Sequence, residues 1–331
     1  MTISFNTKGY DVFIDFIKAY AIMCVLFGHT FLWLDKVGYG VWAGMQVPLF
    51  ILVQAFHWYK KDKPVINFVK ILKRVIFPFF VIEFLTVGIA LLFGLNNANE
   101  LKTLALSGGG YGPGSYYPWI YLQVAILLPL FSPLLCRFSK WVSLIIFIII
   151  CQLFEFLFSI IDLPENIYRL LAVRYIFLVP LGWLWAKEGI VINWKTILLS
   201  ILSLFAILYF EYLSVHDEPW FFTTKWQFHR WPCYFFLAYG FTGILNIVWK
   251  RLVNYELIIK YIKVLASSSY EIFLVQMSVI YLINYTSIPF VRDKVFKYII
   301  WLILVWMISI FGGILLNRIL NRKSIIMSKN D

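Results

Sequence analysis

Residues 14–29 read IDFIKAYAIMCVLFGH, and the reading of this stretch decides the fold. It is apolar enough for a membrane helix, yet it carries Asp15, Lys18 and His29. An ionisable group inside a spanning helix costs roughly 3 kcal/mol or more, so such groups are functional hypotheses by default. Lys18 and His29 are eleven residues apart. At about 100° per residue, eleven steps return to nearly the same direction, and the two side chains then stand roughly 16 Å apart along one helix face. That face presents a cation near one end and an imidazole well inside the membrane. A second reading stands beside this one. Lys18 snorkels to the headgroups and pairs with Asp15, one helical turn before it, and His29 is an interior histidine near the far interface.

Composition supports the membrane assignment. The chain is 62% hydrophobic and 14% charged, whereas a soluble domain is about a quarter charged. Apolar runs of near-membrane length recur throughout, so the expected class is all-α, a polytopic helical membrane protein. The net charge of +12 does not point to nucleic acid, because the basic residues cluster in alternate loops. Attraction to anionic lipid headgroups is the other use for such charge. Cys24, Cys136, Cys151 and Cys233 lie in separate apolar segments without CxxC spacing, which indicates neither a disulfide framework nor a metal site. The first apolar run is interrupted by charges and lacks a small-residue cleavage site, so it does not read as a signal peptide. No soluble appendage is evident, and residues 1–331 read as a single membrane domain with a short tail at about 318–331.

Ten spans are expected, at about 12–34, 41–59, 75–94, 119–137, 142–161, 168–187, 194–214, 231–249, 264–285 and 295–317. An even number puts both termini on one side. Lys60, Lys61, Lys63, Lys70, Lys73, Arg74, Arg137, Lys140, Lys187, Lys195, Lys250, Arg251, Lys260, Lys263 and the basic C-terminal residues then share that side, which the positive-inside rule makes cytoplasmic. Lys18 lies near the cytoplasmic end of its helix and His29 toward the outer half.

The segment 64–74, PVINFVKILKR, reads as a short interfacial helix on the cytoplasmic surface. Its charges suit either nucleotide phosphates or lipid headgroups. Residues 95–118 form the longest outer loop and include SGGGYGPGSYYP. It lacks GK[ST] and a preceding strand, so it is no phosphate-binding loop, and it reads as a flexible cover leading into the fourth span. The outer loop 215–231 is crowded with aromatics, among them Trp220 and Trp226. These either stack on sugar rings or belong to the interfacial aromatic belt. Within the spans lie Gln46, Gln54, Glu83, Gln123, Gln152, Glu155, Arg169, Arg174, Glu271 and Gln276. Some can serve as interhelical glue, but so many together imply a polar cavity.

These residues resemble the acyltransferase-3 family of membrane acyltransferases, which includes bacterial surface-polysaccharide O-acetyltransferases. That family opens with Asp-x-x-Arg/Lys, ten further residues and a histidine, here Asp15, Lys18 and His29. VPLFILVQAF at 47–56 is similar to an apolar stretch ending in Ser-Gly-Phe, with Gln54-Ala55-Phe56 in its place. VKILKRVIFPFF at 69–80 is similar to the basic segment before the third span. Arg74 matches its second arginine, four residues before Pro78, and Ile71 stands in place of the first. YYPWIYLQVAILLPL at 116–130 and YRLLAVRYIFLVPLGW at 168–183 resemble further segments. SSSYEIFLVQ at 267–276 is similar to Ser-x-x-x-Tyr-Leu-x-His, with Gln276 where the histidine stands. Lys18 replaces the more usual arginine, exchanging a bidentate fork for a point charge. Gln276 cannot act as a base.

The resemblance implies acyl transfer, usually of acetyl from cytoplasmic acetyl-CoA used as donor substrate, with no permanently bound cofactor. The acceptor is a hydroxyl of a cell-surface glycan or glycolipid, and the setting is a bacterial cytoplasmic membrane. The pantetheine arm of coenzyme A has about the length of the Lys18–His29 face. His29 is the expected general base or a transiently acylated nucleophile, with Lys18, Asp15 and Glu271 the other catalytic candidates. Asp15 neutralises Lys18. Lys18, Lys70, Lys73 and Arg74 receive the donor phosphates, and Glu155, Arg174, Gln276 and Trp220 orient the acceptor. A transporter or flippase for a lipid-linked glycan is the alternative, although no repeat symmetry between the halves supports it. A non-catalytic partner of a polysaccharide synthase is the third reading.

Overall fold

The computed structural model describes residues 2–3, 11–30, 46–61, 64–94, 109–161, 163–215, 231–285 and 295–327. Its helices are α1 Val12–Thr30, α2 Gln46–Tyr59, α3 Phe68–Leu92, α4 Tyr117–Arg137, α5 Lys140–Ile161, α6 Leu178–Glu188, α7 Trp194–Val215, α8 Trp231–Leu252, α9 Glu256–Ser267, α10 Ser269–Tyr285 and α11 Val295–Met327. The strands β1 Thr2–Ile3 and β2 Ile190–Val191 pair antiparallel, Thr2 opposite Val191. Three of the helix prolines fall where the missing N–H is not needed, whereas Pro129 and Pro133 lie inside α4. Pro48, Pro118 and Pro180 sit in the first turns of α2, α4 and α6.

Among the described residues six helices are long and apolar enough to cross a membrane, namely α1, α3, α4, α5, α8 and α11. The pair Glu256–Ser267 and Ser269–Ile283, bent by 65°, makes a seventh if taken as one broken span. The protein is a multi-pass membrane protein built almost wholly of helices, and the described residues show six or seven of the ten expected spans. The expected span 168–187 is interrupted. A 3-10 turn at Ala172–Tyr175 precedes the eleven-residue α6. There the Gln123 side chain accepts from the Ala172 N–H and donates to the Leu170 carbonyl, replacing helical bonds, and Pro180 suits a helix start rather than a helix middle. The expected span 264–285 breaks at Ser268, where the Asn317 amide donates to the Ser267 carbonyl and the Ser268 hydroxyl. The separate interfacial helix expected over 64–74 is instead the start of α3. The candidate span in α11, Tyr298–Leu320, agrees with the expected last span, and the helix itself runs on to Met327.

α1 is the innermost of the long helices. It packs against α2, α8, α9 and α10, and 61% of its most apolar stretch is buried, against 17% for α11. α3, α5, α7 and α11 turn rows of large apolar side chains outward, such as Phe77, Phe80 and Phe84. Outward apolar rows are expected where the solvent is hydrocarbon. α2 and α6 approach closely because position 182 is glycine. A Cβ there would lie 2.5 Å from Ala55 Cβ and 2.8 Å from the Leu52 carbonyl oxygen.

Candidate active site

Three helices bring basic residues to one pocket of about 740 Å³. α1 contributes Asp11, Ile14, Asp15 and Lys18, at helical spacing on one face. α2 and the turn after it contribute Phe50, Val53, Gln54, His57, Lys60 and Lys61. The start of α3 contributes Asn67, Lys70, Ile71 and Arg74. Lys18 donates to Asp15 Oδ1 at 2.9 Å. Asp15 is buried at 4% exposure, while the Lys18 side chain keeps 25%, so the lysine head remains available to the pocket. Five cations stand against two carboxylates in this wall.

The α3 contribution depends on a local distortion. Leu72–Ile76 is a π turn, and the Phe77 N–H reaches back to the Leu72 carbonyl. Pro78 has no N–H to give and its ring would press on the carbonyl four residues earlier, so a widened turn ahead of it relieves both constraints. Tyr270 of α10 pins the turn by donating to the Val75 carbonyl at 2.7 Å. Asn67, Lys70 and Arg74 thereby line the pocket. Lys73, expected beside them, is exposed and does not line it, because it lies one residue round from Arg74. Glu271 sits half-buried on α10 within electrostatic reach of Arg74.

His29 lies beyond the pocket, near the C-terminal end of α1. The imidazole makes no hydrogen bond among the described residues. Between it and the pocket lies a small void of about 40 Å³, walled by Val25, Val47, Phe50, Tyr117, Ser269, Tyr270 and Phe273. Phe50 belongs to the walls of both spaces. Lys18, Val25 and His29 recur at seven- and four-residue steps, so one face of α1 carries the pocket cation, the void and the imidazole in order.

The glycine-rich segment 109–116 closes the other end. Gly112 and Gly114 have φ of +89° and +90°. A Cβ on Gly112 would meet the Met277 carbonyl oxygen at 2.4 Å; one on Gly114 would meet the Phe273 ring at 2.8 Å and His29 Nε2 at 3.9 Å. Only glycine adopts that backbone without strain and leaves that space. The Tyr111 N–H donates to the Glu83 carboxylate at 2.9 Å, anchoring the segment to α3. The expected flexible cover is, over residues 109–116, a packed turn against α3, α10 and His29; residues 95–108 lie outside the described residues.

The remaining candidates are dispersed. Glu155 is buried and accepts from the Tyr168 hydroxyl. Arg174 lies over the rings of Tyr168 and Tyr175. Gln276 is fully buried, with neither end of its amide hydrogen-bonded among the described residues. Trp220 and Trp226 lie outside the described residues. His57 was missed by sequence reading. It was legible only in combination, since Phe50, Gln54, His57 and Lys61 share one helix face at steps of four, three and four.

A family model described as an acyltransferase domain, acyltransferase-3, matches residues 11–318. The chain therefore belongs to the acyltransferase-3 family and is a membrane acyltransferase. Neither a curated protein nor a solved structure matches it.

Proposed function

We propose that the protein transfers an acetyl or other acyl group from acyl-CoA to a hydroxyl of a cell-surface glycan or glycolipid. The observation that carries this reading is the pocket in which Lys18, Lys60, Lys61, Lys70 and Arg74 converge at the foot of the helix face leading to His29. A nucleotide diphosphate bearing a ribose phosphate supplies the charge that five cations and two carboxylates call for. Arg74 and Lys70 take the phosphates, with Lys60 and Lys61 at the rim. Lys18 is oriented by Asp15, and Lys73 adds only long-range charge. By the positive-inside rule this basic pocket faces the cytoplasm, where acyl-CoA is available.

The pantetheine arm then lies along α1 toward His29, a passage that requires the Phe50 ring to swing aside because the void beyond it is small. At the far end the acceptor hydroxyl attacks the thioester carbonyl. His29 takes the hydroxyl proton, the oxygen–acyl bond forms, the carbon–sulfur bond breaks, and the proton goes on to the departing thiolate. Glu271 positions Arg74 rather than touching the reacting atoms. Gln276 positions a substrate group with its unpaired amide. Glu155, Arg174 and Trp220 serve the acceptor. The test is calorimetric binding of acetyl-CoA to the purified full-length protein, with its 3′-dephospho form alongside. The reading expects acetyl-CoA to bind and the dephospho form to bind more weakly. A well-folded preparation that binds neither would sink it.

A further inference from the structure

Among the described residues Arg174 has no carboxylate partner. Its guanidinium lies 5.4 Å from the Tyr168 ring centroid and 5.7 Å from that of Tyr175. Tyr116 and Tyr234 are within electrostatic reach. The Arg174 Nε is buried without a hydrogen-bond partner, and no carboxylate among the described residues lies within ion-pairing distance. Tyrosine faces attract a cation, but they do not accept in the plane of its N–H donors, and Nε is left unpaired. A guanidinium held over tyrosine rings, with its fork open at one edge and no carboxylate paired to it among the described residues, is placed to receive an anion.

The cage is built rather than incidental. The Tyr234 hydroxyl donates to the Arg174 carbonyl at 2.9 Å, and the Gln123 amide clamps the turn just before it. The Tyr168 ring is held by its own hydroxyl on Glu155. The residue is half-buried and its terminal nitrogens are not enclosed, so the fork stays open at one edge. Tyr116 joins this cage to the catalytic end, because it follows closely on Gly114, whose missing Cβ faces His29 Nε2.

We propose that Arg174, between Tyr168 and Tyr175, binds an oxyanion carried by the acceptor, a carboxylate or phosphate group held bidentately while the tyrosine faces flank the sugar. The acceptor is thus an acidic glycan, a statement that rests on the acyltransferase reading. A planar fork matches carboxylate and phosphate geometry, and a neutral glycan offers it no charge to pair with. A lipid headgroup phosphate has the same chemistry, and the test separates the two sources.

The full-length protein in phosphatidylcholine nanodiscs is treated with phenylglyoxal, and the adduct on Arg174 is followed by peptide mass spectrometry. Saturating methyl glucuronide or inorganic phosphate is expected to slow labelling about tenfold, the scale of a charge-assisted hydrogen bond, while methyl glucoside leaves it unchanged. An Arg174 that is never labelled, or is labelled equally with and without the anions, overturns the proposal. Protection in phosphatidylglycerol discs without protection by soluble anions assigns the oxyanion to a lipid and overturns the acceptor assignment. Acetyl-CoA binding by Arg174→Gln and Arg174→Lys is expected to match wild type, and a loss there would move Arg174 to the donor side and overturn it too. If wild type fails to bind acetyl-CoA while Arg174 is still protected, the acyl-CoA donor reading falls and the anion site stands.

Discussion

Lys73 and Arg74 are adjacent basic residues whose roles the π turn separates, and exchanging each for glutamine tests that separation. Arg74 lines the basic pocket and Lys73 does not. A hydrogen bond from a charged donor contributes about 1.5–3 kcal/mol. Arg74 is exposed, so the lower end of that range applies, and roughly 1.5 kcal/mol corresponds to about a tenfold weaker Kd. Lys73→Gln removes the same unit of charge from a side chain outside the pocket, and a surface change of about 0.5 kcal/mol or less predicts no more than about a twofold effect. Titration calorimetry with acetyl-CoA at low ionic strength reads both. Raising the salt should weaken binding to both variants, since the remaining pocket cations are partly exposed. Equal losses for the two variants, or a greater loss for Lys73→Gln, would refute the geometric argument and reduce the segment to a diffuse basic patch.

Three further substitutions probe the frame around the site. Gly182→Leu drives a side chain into Ala55 and the Leu52 carbonyl. It should cost roughly 1–3 kcal/mol and lower the Tm in detergent by several degrees; an unchanged Tm would contradict the close α2–α6 packing. Gly114→Val sets a branched residue at φ +90° against Phe273 and His29. Turnover should fall at least about tenfold while acetyl-CoA binding stays within about twofold, given a backbone cost on the order of 1–2 kcal/mol at the far end of the site. Gln276→Leu removes a buried amide with no partner, so the Tm should be equal or higher; a lower Tm would show that the amide is satisfied after all.

What the sequence disclosed is what helix periodicity encodes. The eleven-residue spacing of Lys18 and His29 put both on one face of α1, and the structure places Lys18 at the basic pocket and His29 beyond the small void. The apolar runs disclosed a membrane bundle, but hydropathy does not reveal where a helix breaks. The break before α6 depends on Gln123 reaching from α4 to the 170–172 turn, and the bend at Ser268 depends on Asn317, some fifty residues away. Lys73 was expected in the pocket because sequence proximity to Arg74 says nothing about direction, which the π turn sets. His57 was overlooked because a lone histidine on an apolar helix carries no signal until Lys60 and Lys61 are seen on the same face. The glycine segment was legible as a turn-former but not as a packed one, since its contacts come from Glu83, Phe273 and Met277 on distant helices.

The central claim is that one face of α1 joins donor binding to chemistry at His29, and His29→Ala tests it most directly. The full-length protein and the variant are compared for acetyl-CoA affinity by calorimetry and for release of CoA thiol in the presence of membrane glycan extract. The account predicts unchanged affinity, because His29 lies outside the donor pocket, together with turnover reduced by about a hundredfold or more, the scale of general base catalysis. A variant that turns over at the wild-type rate would contradict the account.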